Sequence, residues 1–239
     1  MQKLIKYITN SVYRPLLVKY LSSTRVYVHK GIRLLVPPEV FHPGFFFSTR
    51  LLLAYVSCQP LSDKSLLELG AGSGLISLMA ARKGASVTAS DINPVAIEYL
   101  ELNKRRNDLP VSVIHSDLFS RIPSHAFDII VINPPYYSRK PSSFAEYAWF
   151  CGENGEYFSG LFGELAGYVH SGSKVWMILC DGSDMKMIRK RAAENGWELH
   201  CVYSRRNLLE RNYIFKIERA SPGGKSAFAI QTDEVRRRV

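Results

Sequence analysis

The chain has 239 residues, 46% of them hydrophobic and 22% charged, with a net charge of +10. That is enough for one full domain, or one domain with a small appendage, and no apolar run approaches the roughly 20 residues of a membrane-spanning helix. The four cysteines, Cys58, Cys151, Cys180 and Cys201, form no Cys-x-x-Cys pair, so reduced thiols, a cytoplasmic setting and no metal site are expected.

Residues 1–21 are apolar but broken by Lys3, Lys6, Arg14, Pro15 and Lys19. They predict an amphipathic helix and lack the compact apolar run and small-residue cleavage site of a signal peptide. Residues 25–35 alternate as a small hairpin would, and residues 47–56 predict a helix. The first acidic residue is Glu39, so Lys3, Lys6, Arg14, Lys19, Arg25, Lys30 and Arg33 stand unopposed, and Arg236, Arg237 and Arg238 close the chain. Basic termini of this kind suit an acidic partner such as RNA or a ribosome; a solvated surface is the plainer alternative.

From residue 65 onward, strand-like and helix-like runs alternate. Residues 65–69, 86–90, 111–115, 128–132 and 174–180 read as strands, and 75–83, 94–106, 156–170 and 185–194 as helices. Asn93-Pro94 supplies a helix N-cap and first turn, with Glu98 early in the helix, and Asn195-Gly196 supplies a helix end. Residues 198–204 and 213–219 read as a last, antiparallel strand pair joined by a charged connection. Near-continuous apolar strands between helices predict a doubly wound, mostly parallel α/β sheet. The expected organisation is a basic N-terminal appendage (1–40), one α/β domain (41–220) and a flexible basic tail (221–239).

Glu68-Leu69-Gly70-Ala71-Gly72-Ser73-Gly74-Leu75 joins a strand to a helix through a glycine turn. Glycines admit positive φ and close backbone approach, and the helix start offers free amide donors. A dinucleotide fingerprint needs glycine where Leu75 stands, and the Gly-Lys-Ser/Thr ending of a P-loop is absent. Asp91 with Ile92, and Asp117 with Leu118, follow the next two strands. Further on, an apolar strand ends in Asn133-Pro134-Pro135-Tyr136. The Asn133 side-chain oxygen and the Pro134 carbonyl are two acceptors that suit the two hydrogens of one NH2 group, and Tyr136 offers a flat stacking surface.

The acid-Gly-x-Gly-x-Gly loop resembles the first motif of the class I S-adenosylmethionine (SAM)-dependent methyltransferases. The Asn-Pro-Pro-Tyr end resembles that of the amino-methyltransferases, which include adenine methylases and the HemK/PrmC-like glutamine methyltransferases. The resemblance runs from about Val36 to Arg219, and includes Val40-Phe41-His42-Pro43, Ser48-Thr49-Arg50 and the basic connection from Arg206 to Phe215. It implies a Rossmann-like seven-stranded sheet with one antiparallel strand and SAM as cofactor. It also implies that Glu68, Gly70, Ala71, Gly72, Gly74, Asp91, Ile92, Asp117, Leu118 and Asn133 hold SAM, with Glu68 answering the ammonium, Asp91 the ribose and Asp117 the adenine. Asn133, Pro134 and Tyr136 would hold the methyl acceptor.

The chain departs from the HemK-like pattern in having Phe45-Phe46-Phe47-Ser48 where acids are usual, and it lacks a long helical N-terminal domain. Three functions follow as expectations. The first is methylation of a protein glutamine, for example in a translation factor. The second is methylation of a base amine in RNA or DNA, adenine or guanine. The third is a non-catalytic RNA-binding module, which the complete Asn133 to Tyr136 set disfavours. His42 and the Phe45–Phe47 run read as packing residues, and no Ser/His/Asp arrangement suggests a hydrolase.

Overall fold

The computed structural model describes residues 20–208 and 210–220. Tyr20 and Leu21 are helical, but the rest of the expected N-terminal helix and the basic tail lie outside the described residues. The described chain opens with an antiparallel hairpin, β1 (Arg25–His29) and β2 (Ile32–Val36). Lys30 and Gly31 turn it with φ of 44° and 83°, the left-handed pair that a two-residue hairpin loop requires. Helix α1 (Phe47–Ser57) leads into β3 (Ser65–Leu69), α2 (Leu75–Arg82), β4 (Ser86–Asp91), α3 (Pro94–Asn107), β5 (Val111–His115) and β6 (Phe127–Ile132). There follow a 3-10 turn (Phe144–Ala148), α4 (Glu156–Glu164), a second 3-10 turn (Leu165–Tyr168), β7 (Val169–Cys180), α5 (Met185–Glu194), β8 (Trp197–Arg206) and β9 (Arg211–Arg219).

Seven strands form one sheet in the order β5-β4-β3-β6-β7-β9-β8. All pairings from β5 to β7 are parallel, and β9 runs antiparallel to both its neighbours. This is the doubly wound sheet that the strand-helix alternation predicts. Strand alternation divides the core in two. Leu66, Ile129, Val131 and Trp176 face the layer holding α1, α2 and α3, whereas Leu67, Ile130, Ile132 and Met177 face α4 and α5. With both faces covered, residues 129–132 of β6 read as an unbroken apolar run, and each of these buried aliphatic side chains contributes about 1.5–3 kcal/mol.

The strand order reverses beside β3: β4 and β5 lie to one side, β6 and β7 to the other. A crevice opens beyond the carboxyl ends of the strands at such a point. Both sequence motifs end there, the glycine loop after β3 and Asn133 after β6.

The expected helix over 156–170 needs correction. The α-helix stops at Glu164, and Val169 and His170 already belong to β7. Tyr168 ends the helical run because its ring stacks on Phe119 at 4.3 Å, while its hydroxyl donates to the Phe119 and Ile122 carbonyls. Val169 then pairs with Phe127, and after a register shift pairing resumes with Lys174 opposite Ile129. The final strands are longer than expected, which shortens the charged connection to residues 207–210.

The hairpin is fastened to the sheet domain. Ile32, Leu34 and Val36 are buried in the same core cluster as α2. Asn103 accepts from the Leu35 amide at 2.7 Å and donates to the Leu35 carbonyl at 3.0 Å; Asn107 treats Arg33 alike, at 2.9 and 2.8 Å. Two side-chain amides, one turn apart on α3, thus satisfy the backbone of β2 as a neighbouring strand would. Asn103 also donates to the Ser73 carbonyl at 3.0 Å, tying the hairpin to the glycine loop.

Candidate active site

The glycine loop is held by β4: the amides of Gly70 and Ala71 both donate to the Ser90 carbonyl at 2.9 Å. Gly70, with φ of 72°, has open space where a side chain would stand. Gly74, with φ of 85°, begins α2 so close to Leu100 that a Cβ would collide with it. Gly70, Ala71 and Gly72 line the cleft, but Gly74 does not; its part is to let α2 pack against α3.

Glu68 is buried, and its carboxylate accepts the Ser77 amide at 2.8 Å and the Ser77 hydroxyl. Burial pushes its carboxyl up to about 8, against the opposing effect of the Ser77 bonds. Asp91 accepts the Gly72 amide at 2.8 Å and the Asn93 amide at 2.9 Å, and burial raises its carboxyl too. Asp117 is exposed on the far side of the cleft. Beside it Leu118 adopts φ of 45°, an unusual left-handed conformation for leucine, pinned where the Ser116 hydroxyl donates to its carbonyl at 2.9 Å. Ile92 lines the same wall.

Asn133, Pro134 and Tyr136 reach this same cleft from the end of β6. The Asn133 Nδ2 donates to Thr49 Oγ1 at 3.2 Å, across 84 positions of sequence. Thr49 is itself buried, in the first turn of α1. The Tyr136 phenol faces the Cys180 thiol, and burial holds it protonated far above the ordinary tyrosine range. Phe41, stacked on Phe46 at 3.8 Å, forms a further wall with Trp149 at 5.1 Å. Phe144 and Tyr147 stand exposed at the mouth. Their loop is braced by an Arg139–Glu146 ion pair and by the Arg139 guanidinium 3.7 Å from the Phe150 ring centre.

Every expected site residue except Gly74 therefore lines one cleft. His42 does not: it packs edge-on against Tyr27 at 5.4 Å, and its Nδ1 accepts the Gly44 amide at 3.2 Å. Sequence reading missed Glu39, Trp149 and Tyr157, which also line the cleft. It took Asn93 for a helix cap alone, although its side chain also donates to the Glu39 carbonyl at 3.0 Å.

Among the described residues, the cleft is lined by Glu39, Glu68, Asp91 and Asp117, with no lysine, arginine or histidine. Such a lining opposes a polyphosphate and suits a ligand carrying a sulfonium and an ammonium. Residues 32–150 match the family model described as the methyltransferase small domain. A putative protein N5-glutamine methyltransferase of Methanocaldococcus jannaschii is 33% identical over 155 residues, covering 62% of this chain and 76% of that protein. The chain belongs to this family of methyltransferases.

The protein is accordingly a SAM-dependent methyltransferase, with SAM as methyl donor. A second relative, the tRNA1(Val) (adenine(37)-N6)-methyltransferase of Vibrio campbellii, is 37% identical over 92 residues, which cover 37% of the methyltransferase and 38% of that relative. Among solved structures, the E. cuniculi Mtq2–Trm112 complex, described as responsible for methylating the eRF1 translation termination factor, superposes with a TM-score of 0.58. It is 23% identical, and the match covers 76% of this chain and 99% of that one. Among the described residues, no helix of the methyltransferase is long and apolar enough to cross a membrane.

Proposed function

We propose that the enzyme methylates the side-chain amide nitrogen of a glutamine in a protein. The observation that carries this reading is the Asn133 amide at the end of the cleft: its Nδ2 donates to Thr49, and its Oδ1 is an acceptor free of that bond. An amide NH2 has two hydrogens to donate, one to Asn133 Oδ1 and one to the Pro134 carbonyl, while its plane stacks on Tyr136. The longer of the two sequence matches described above, to the putative protein N5-glutamine methyltransferase, supports glutamine as the acceptor.

The amide nitrogen is a weak nucleophile because its lone pair is delocalised. Fixing both N–H bonds turns the lone pair toward the donor side of the cleft, so the enzyme works by orientation and preorganised dipoles. Bound SAM supplies an electrophilic methyl group on a sulfonium. In our reading the backbone from Gly70 to Gly72 approaches the amino acid end of SAM, with Glu68 beneath it. Asp91 keeps lone pairs beyond its two backbone bonds for ribose hydroxyls, and Asp117, with Ile92, Leu118 and Tyr157, bounds the adenine. Tyr136, held protonated, is no base; the proton released from nitrogen passes to water.

A base amine is the second reading, favoured by the exposed Phe144 and Tyr147 rings at the mouth, on which a base could stack, and by the adenine-specific relative. The two separate when the enzyme and tritiated SAM are incubated with an extract of cells deleted for the gene. Label released by protease supports glutamine; label that resists protease and yields to ribonuclease or deoxyribonuclease supports the base amine and refutes our first choice.

A further inference from the structure

We infer that Thr49 is a positioning residue that anchors the Asn133 side chain where its amide meets the methyl acceptor. The inference rests on the reading of Asn133 as an acceptor-holding residue and adds to it a cause for that residue's orientation. Asn133 Oδ1 receives a hydrogen bond from the NH2 group only while the side chain is held in one rotamer, and an asparagine just past the end of a strand needs a partner to hold it there.

Thr49 supplies that hold: its Oγ1 accepts a hydrogen bond from Asn133 Nδ2 at 3.2 Å. The threonine is well placed for such a task. It is 7% exposed, in the first turn of α1, where the helix packs against α2 and the sheet. A buried hydroxyl in a helix contributes little unless it has a partner, and this one finds its partner on a different element, the end of β6. The bond also joins two layers, so movement of α1 relative to β6 would release Asn133. Tyr136, Pro134 and Phe41 shape the pocket around the Asn133 amide.

Four variants test the inference: Thr49→Val, which keeps the shape and removes the hydroxyl; Thr49→Ser, which keeps the hydroxyl; Asn133→Ala; and the Thr49→Val/Asn133→Ala pair. The first readout is the initial rate of tritium transfer from saturating SAM into total macromolecules of the deleted-strain extract. The second is S-adenosylhomocysteine affinity by calorimetry. Thr49→Val should slow transfer by about tenfold or more, Thr49→Ser should restore most of the rate, and the double variant should be no slower than Asn133→Ala. S-adenosylhomocysteine affinity should stay within about twofold in Thr49→Val and Thr49→Ser. If Asn133→Ala is slow while Thr49→Val keeps its rate, or if Thr49→Ser is as slow as Thr49→Val, the positioning role is overturned and the acceptor site stands. If Asn133→Ala itself keeps full rate, the acceptor site fails, and Thr49 with it.

Discussion

The side chain of Asn103 bears more of this structure than its place on a surface helix suggests. It is fully buried, and it makes three hydrogen bonds, two to Leu35 of the hairpin and one to the Ser73 carbonyl in the glycine loop. Asn103→Leu would keep the bulk and leave the Leu35 amide and two carbonyls without partners. Each orphaned buried group costs about 1–3 kcal/mol. Leu35 is only half-buried, so water relieves part of that cost, and a loss of roughly 2–5 kcal/mol is expected. For a chain of this size that lowers Tm by about 5–15 °C. Urea unfolding should show the lower midpoint at unchanged slope. Because Ser73 sits between Gly72 and Gly74, S-adenosylhomocysteine affinity should fall as well. Asn107→Leu is the control: it breaks the hairpin bonds to Arg33 and the bond to Asn103's carbonyl, but none to the loop, so it should cost less stability and spare the affinity. A loss below about 0.5 kcal/mol for Asn103→Leu, the range of an inert surface change, would refute the reasoning.

Glu68 predicts a pH dependence of stability. Its folded carboxyl titrates near 8 against an unfolded value of 4.5, so the folded, ligand-free protein holds the extra proton between them. The stability that this group contributes is complete below the unfolded value and is lost as pH rises through about 8; Tm of the ligand-free enzyme should fall over that window, and Glu68→Gln should flatten the fall. Asp91→Ala should raise the S-adenosylhomocysteine Kd by tenfold or more, on the scale of a lost charge-assisted bond, in a calorimetric titration. Tyr136→Phe keeps the stacking face and should retain most of the transfer rate, whereas Tyr136→Ala should lose it in the tritium assay.

The core was legible wherever local pattern and tertiary fate agree. β5 and α5 begin and end where alternation and the Asn195-Gly196 stop place them, and β6 is as apolar as a strand covered on both faces must be. The hidden parts depend on contacts between distant residues. β7 begins five residues earlier than its apolar run, because Val169 answers Phe127 and Tyr168 is captured by Phe119. Glu68 looks like a strand-end acid ready for a ligand; its bond to Ser77 appears only when α2 is folded back over β3. Trp149 and Tyr157 carry no motif and reach the cleft through the loop after β6 and the start of α4. Asn103 and Asn107 look like solvent-facing positions until β2 is laid beside them. The four acids around the cleft were half-visible: three stand at or near strand ends, but Glu39 lies in the loop before α1.

The most direct test of the account is the chemical identity of the methylated group. The labelled acceptor from the deleted-strain extract should be isolated and hydrolysed in acid, the hydrolysate made alkaline, and the volatile fraction counted. N-methylated glutamine breaks at its amide bond, so tritium is expected as methylamine from a protein, with far less formed by the Asn133→Ala enzyme. Label that remains on a nucleobase, or that is retained on a lysine or arginine side chain, would contradict it.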